Sequence, residues 1–311
     1  MRPSPTGIYA GVRILAGRSN TAVRNGTIRG FTIGVTIQAT ANGNDISGLA
    51  LSGDGQGVNT QTGVQNNPLP TSDNNVIHAN TIDSNTSSAA QITGVGNRFE
   101  ENSVTNNRFG LSIAGTGAVV RANRIVNNLS TGINANGQGA ILSGNTVIQN
   151  SGNAINIGGP STAVVLEGNR IEGNEIAQNG DPANSFGAIN VFSSNNAVVS
   201  ANRVVGIFRG TGVFAAANTV GTTISGNAIS WFVDGVSINN GATNTLISGN
   251  QATQNTDDGF DVRSASTTIV GNTAMGNADW GIVAVPGVTD GGGNHAGGNG
   301  HPGQCAGVVC T

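Results

Sequence analysis

Apolar residues in this chain recur at a fixed offset from a repeated Asn. The Asn usually follows Gly or Ala, and it stands at Asn44, Asn80, Asn102, Asn123, Asn145, Asn169, Asn202, Asn227, Asn250 and Asn272. From Asn80 onward the steps are 21 to 25 residues with one of 33, and the step from Asn44 to Asn80 is 36. Gly26, in Arg-Asn-Gly-Thr-Ile, fills the same slot one turn earlier. Two residues after the marker come Ile28, Ile46, Ile82, Val104, Ile125, Val147, Ile171, Val204 and Ile229, then Ala252 and Ala274. An apolar column at a fixed offset is a buried face repeated once per period.

Each period holds two further short runs. One reads Gly-apolar-x-apolar, as in Gly110-Leu111-Ser112-Ile113, Gly235-Val236-Ser237-Ile238 and Gly259-Phe260-Asp261-Val262. The other closes the period, as in Ala118-Val119-Val120 and Thr245-Leu246-Ile247. Such runs are too short for helices and rich in Val, Ile and Thr, so they predict three strands per period. Gly and Asn at the joins supply positive φ for tight corners. Stacked periods then pair in parallel about 4.8 Å apart, and a column of Asn side chains can hydrogen-bond up the stack. The prediction is an all-β, three-sided solenoid of about eleven turns, roughly 50 Å long. It occupies residues 1–290, with a Gly-rich tail at 291–311.

With this repeat the chain resembles the right-handed parallel β-helix superfamily over about residues 8 to 290. It is similar to the Asn-rich bacterial members, which include pectate-lyase-like proteins and the β-helix family tied to copper insertion into nitrous oxide reductase. The resemblance implies the fold. It implies no activity, because the shared motif is architectural. In this superfamily earlier turns and an export signal would precede such a segment, so a secreted or periplasmic protein is expected.

Composition narrows the partners. The formal charge is -3, all 13 basic residues are Arg, and 9% of residues are charged. That is not the basic footprint of a nucleic-acid binder. No run of 18 apolar residues occurs, so no membrane span is predicted. Met1 to Gly7 lack a signal-peptide core. The two cysteines, Cys305 and Cys310, suit a local disulfide that caps the tail of an exported protein. His295 and His301 join them in a weaker alternative, a four-ligand metal site whose spacing fits no standard finger. A monomer is expected.

On a solenoid, function sits where copies differ. Insertions fall at about Ser52 to Asp73 and Asn174 to Phe186. Aligning copies on the second-strand Gly stacks Asp234 with Asp258 and Asp257 with Asp279, and Asp261 faces outward. Carboxylates one rung apart raise each other's pKa, as in acid/base pairs. Asp234, Asp257, Asp258 and Asp279 are therefore the catalytic candidates. Asp257, Asp258 and Asp279 are candidate calcium ligands. Asn255-Thr256-Asp257 has a faint likeness to polygalacturonase signatures, but the accompanying Gly-His-Gly and Arg-x-Lys are absent.

A basic row forms a second candidate. The residue after the marker is Arg124, Thr146, Arg170 and Arg203 on central turns, with Arg121 nearby in the column of His78, Glu100 and Glu167. Guanidinium groups at rung spacing suit uronate carboxylates, although Glu172 stands close to Arg170. Trp231 and Trp280 border the acidic corner, and with Phe214 and Tyr9 they are the residues able to stack on sugar rings. The leading expectation is an extracellular binder of polysaccharide or glycan. The alternatives are a lyase, hydrolase or epimerase acting on an acidic polysaccharide and, behind it, a periplasmic metal-related protein.

Overall fold

A computed structural model describes residues 9–60, 71–159, 163–167, 169–172 and 187–311. All regular elements among the described residues are strands. They wind into a single right-handed parallel solenoid of about twelve turns. One wall, sheet A, takes one strand per turn and has 13 strands; the other, sheet B, has 22. Sheet B is bent into two arms. Thus Phe109–Ile113 lies in sheet A, Val119–Arg121 in the first arm and Arg124–Val126 in the second.

Register confirms the columns. Ile125 pairs with Val147, Val147 with Ile171 and Ile171 with Val204. On sheet A, Leu111, Ile133, Ile155, Ile189, Val213, Val236, Phe260 and Ile282 pile up and are buried. The Gly ahead of this column exists because of the close stacking. A Cβ on Gly110 would lie 2.0 Å from the Gly132 carbonyl oxygen.

The marker Asn works differently from a turn residue. Positive φ falls on the residue before it, as at Ala79, Ala122 and Ala201 (φ 52–54°). The Asn itself is buried at the bend between the two arms. From Asn80 to Asn294 every amide donates to the next Asn Oδ1 at 2.9–3.2 Å. Each Oδ1 also accepts a backbone N–H from the neighbouring turn, as Asn123 N–H to Asn145 Oδ1 at 3.0 Å. The ladder thereby satisfies polar groups that the corner buries.

Two register expectations change. Asn44 does not belong to the marker column: Leu49 pairs with Gly26, and its N–H donates to Asn80 Oδ1 at 2.9 Å. Asn44 instead starts a short ladder with Asn75 and Asn97, and Ile46 pairs with Ile77. The Asn-x-Ile spelling at 44–46 imitates the marker because both columns put a buried Asn ahead of an inward residue. The other change is a second long ladder five residues after the first. It runs through Asn85, Asn107, Asn128 and Asn150, then through Asn255, Asn277 and Asn299.

Past residue 290 the stacking goes on. Asn294 continues the marker column, His295–Gly297 pairs with the strand Thr273–Met275, and Cys305 pairs with Ile282. This supplies the extra turn. Cys305 and Cys310 are disulfide-bonded. Of the insertion expected at Ser52 to Asp73, Gln56–Thr60 is a regular sheet A strand paired with Ile33–Ile37, and 61–70 lies outside the described residues, as does the expected insertion at 174–186.

Candidate functional site

Two consecutive sheet A strands build the acidic end. Asp234–Ile238 and Phe260–Val262 pair so that Ser237 faces Asp261. One residue ahead of the stacked glycines, the Asp258 N–H donates to Asp234 Oδ1 at 3.4 Å, and the Trp280 N–H to Asp258 Oδ1 at 2.9 Å. One residue earlier, the Asp279 N–H donates to the Asp257 carbonyl oxygen at 3.0 Å. The columns expected from the sequence, Asp234 over Asp258 and Asp257 over Asp279, are therefore both formed.

Burial separates these carboxylates. Asp234, Asp258 and Asp261 are 7%, 9% and 5% exposed, whereas Asp257 is exposed. Asp234 is pushed up to about 7, first by desolvation and then by the negative charges of Asp261 and Asp257. Asp258 is pushed up to about 7 as well, again chiefly by desolvation, with Asp257, Asp234 and Asp261 adding to it. Asp257 is raised by partial desolvation of its carboxyl and by the negative charges of Asp279 and Asp261. Arg263 opposes this field from one side, with its guanidinium 2.6 Å from the Asp261 carboxylate. Sequence reasoning passed over Arg263. Its signal was its place two residues after Asp261, on the same outward side of the strand.

Asp234, Asp257 and Asp258 each present a carboxylate oxygen within 4.8 Å of the others, the one such group of three among the described residues. Clustered hard oxygens fit a cation such as calcium, whose charge would offset the mutual repulsion. The set differs from the sequence expectation. Asp234 joins it, and Asp279 lies outside the trio while still acting on Asp257 through its charge.

Aromatic residues stand near the carboxylates along the chain, Trp231 in the corner between the strands Ala228–Ser230 and Asp234–Ile238 and Trp280 bonded through its backbone N–H to Asp258. Trp231 is 44% exposed and stacks on Phe208, 56% exposed, with ring centroids 6.1 Å apart. Both hold positive φ, 65° and 62°. Bulky residues rarely adopt that conformation, and the same corner in other turns carries Asn106, Asn127 or Gln254. Phe208 had no sequence signal, because its turn is two residues longer. Trp280 stacks on His301 at 3.4 Å between centroids.

Other candidates lie elsewhere. Arg124, Thr146, Arg170 and Arg203 do share one column, but on the second arm of sheet B. The basic row and the acidic end are thus on different walls. Arg121 is 3.6 Å from buried Glu100, which also binds Arg98 at 2.9 Å, so the two guanidiniums share one carboxylate. Phe214 is nearly buried on the outer face of sheet A, and Tyr9 is exposed near the N-terminal turn. The disulfide engages both sulfurs of the His295, His301, Cys305 and Cys310 set, which leaves no thiolate for a metal.

The chain is similar to solved structures over most of its length. It aligns with the A-module of the Azotobacter vinelandii mannuronan C-5 epimerase AlgE6 at 13% identity and TM-score 0.52, covering 84% of this chain and 80% of that one. It aligns with the Dettilon tailspike protein at 14% and 0.56, covering 88% and 61%. For the Agl-KA catalytic domain the values are 13% and 0.52, covering 94% and 56%. The chain thus spans less than two thirds of the last two proteins. Identities this low establish a shared fold. No curated protein matches. The family described as the right handed beta helix region matches residues 109–274, just over half of the chain, and the chain belongs to that family.

Proposed function

We propose that this protein binds a polysaccharide on the outer face of sheet A, with the acidic end as the contact site. The observation that carries the reading is the pair of desolvated carboxyls, Asp234 and Asp258, with the exposed Phe208–Trp231 stack at the corner that leads into the Asp234 strand. Sugars present hydroxyls that suit carboxyl partners and apolar ring faces that suit aromatic ones. The epimerase named for mannuronan shares the fold, which agrees with this reading. An acidic polymer would reach the site with calcium bridging its carboxylates to Asp234, Asp257 and Asp258. The disulfide fits an exported protein.

Glycan-array binding with and without calcium tests this. Trp231→Ala and Asp258→Asn should each weaken the best ligand at least tenfold, and an array with no retained glycan would remove the reading. A second reading, lyase, hydrolase or epimerase chemistry, is favoured by the two carboxyls near 7, where one can hold a proton while another accepts one. Unsaturated-uronate and reducing-sugar assays across polymers decide it. Turnover retained in Asp258→Asn and Asp234→Asn variants would reject those two residues as the acid and base.

A further inference from the structure

The outer face of sheet A carries a second feature. A cavity of about 300 Å³ is lined by Phe109, Ser112, Ser130, Thr131, Asn134 and Asn156, among others. Ser112, Asn134 and Asn156 are register partners on three successive turns. The column continues through Asn190, Phe214 and Ser237 to Asp261. Asn134 is therefore four rungs, about 19 Å, from the turn of Asp234 and five, about 24 Å, from that of Asp261.

The hydrogen bonding here differs from that of the two preceding sheet A strands, Gln56–Thr60 and Ser88–Ile92, although Thr36 and Asn190 on the same column also keep an unpartnered side-chain oxygen. In earlier turns the outward residues tie each other down: Gln56 donates to Gln91 at 3.3 Å, Asn59 to Gln56 at 2.9 Å, and Thr60 to the Thr93 carbonyl at 2.9 Å. At the cavity, by contrast, the side chains of Ser112, Ser130, Thr131 and Asn134 bond to no other protein group among the described residues. Asn156 accepts one bond, from Asn153 at 2.7 Å. Phe109 is 40% exposed at the rim, with the Arg108 guanidinium 5.3 Å from its ring centroid. None of the described lining residues is charged.

We infer that this cavity is a separate carbohydrate site that takes one uncharged pyranose unit. Three hydroxyls and an amide, all unspent and half-buried, converge on a space bounded by an aromatic ring. A sugar supplies both complements, several hydroxyls and an apolar C–H face. A carboxylate-bearing sugar would find no charged side chain in the lining, the nearby Arg108 guanidinium being held over the Phe109 ring, and would lose solvation on entry. The site stands apart from the acidic carboxylates, with Asn156 three rungs, about 14 Å, from the turn of Asp234.

Calorimetric titration tests it, using methyl hexopyranosides, neutral oligosaccharides and the corresponding uronates. At least one neutral sugar should bind more tightly than its uronate counterpart. Phe109→Ala and Thr131→Val, checked for wild-type melting, should weaken that binding at least tenfold. Binding of the methyl glycoside marks a site for a free or terminal sugar, and binding of oligosaccharide alone marks a site for a unit within a chain. The inference is overturned if no neutral sugar binds, if the uronates bind more tightly, or if both variants bind as wild type does. Loss in Asp258→Asn with retention in both cavity variants would also overturn it while leaving the acidic-end reading intact.

Discussion

Asp54→Asn should stabilise the protein. Asp54 stands at the start of the second ladder, where its N–H donates to Asn85 Oδ1 at 2.9 Å and its own Oδ1 accepts the Phe31 N–H at 2.7 Å. It is 1% exposed, yet its Oδ2 has no partner. In this ladder the side-chain atom that a Cβ on the stacked sheet A glycine would meet is Nδ2 in Asn150, Asn255, Asn277 and Asn299; at Gly34 that place is held by Asp54 Oδ2. By register, an amide there would face the Ile28 carbonyl, as Asn107 Nδ2 faces that of Ile82. Removing a buried orphan of this kind is worth roughly 1–3 kcal/mol, most of the expected gain, with the new hydrogen bond adding about 1. The gain depends on pH. Desolvation raises the Asp54 pKa, so the folded wild type holds this proton more tightly than the unfolded chain. Wild-type stability therefore falls as pH rises from the ordinary carboxylate value of 3.8 through the raised one. Urea unfolding at pH 4, 6 and 8 should show Asp54→Asn gaining little at pH 4 and its full increment at pH 8. Asp54→Leu, which strands the Phe31 N–H, should lose stability at every pH. A gain that is flat with pH, or an Asn variant weaker than wild type at pH 8, would refute the reasoning.

Other outcomes follow from the same geometry. Asn123→Leu should cost about 3–5 kcal/mol in urea unfolding, because it orphans the Asn102 N–H and the Phe99 carbonyl and interrupts the ladder. Asp234→Asn should flatten the loss of stability between pH 4 and 7. In the wild type the folded carboxyl titrates at about 7, a difference worth on the order of 2–4 kcal/mol above that pH. Millimolar calcium should raise the wild-type melting temperature at pH 8 and have less effect at pH 5, where these carboxyls hold protons. Trp231→Asn replaces a strained aromatic with a residue that this corner accepts elsewhere. Stability should stay within about 1 kcal/mol of wild type while glycan affinity drops.

The sequence carried the fold because a solenoid writes each contact at a constant offset. Ile125, Val147 and Ile171 spell out one column by their spacing alone, and so do Asp234 with Asp258 and Asp257 with Asp279. What stayed hidden depended on local insertions or on ambiguous spelling. Asn44 resembled the marker because buried Asn residues serve two different corners. The second ladder went unread because its Asn falls in turns where Asn is also a common surface residue. Phe208 meets Trp231 only because its turn carries two extra residues. The Arg row was correctly aligned, yet spacing alone could not tell that it lies on sheet B, a different wall from the carboxylates.

Hydrogen exchange with and without the best-bound glycan tests the central claim most directly. The account predicts new protection concentrated in residues 231–237 and 257–263, on the outer face of sheet A at its acidic end. Protection confined to the sheet B strands that carry Arg124 and Arg203, with the acidic end exchanging as in the free protein, would contradict it.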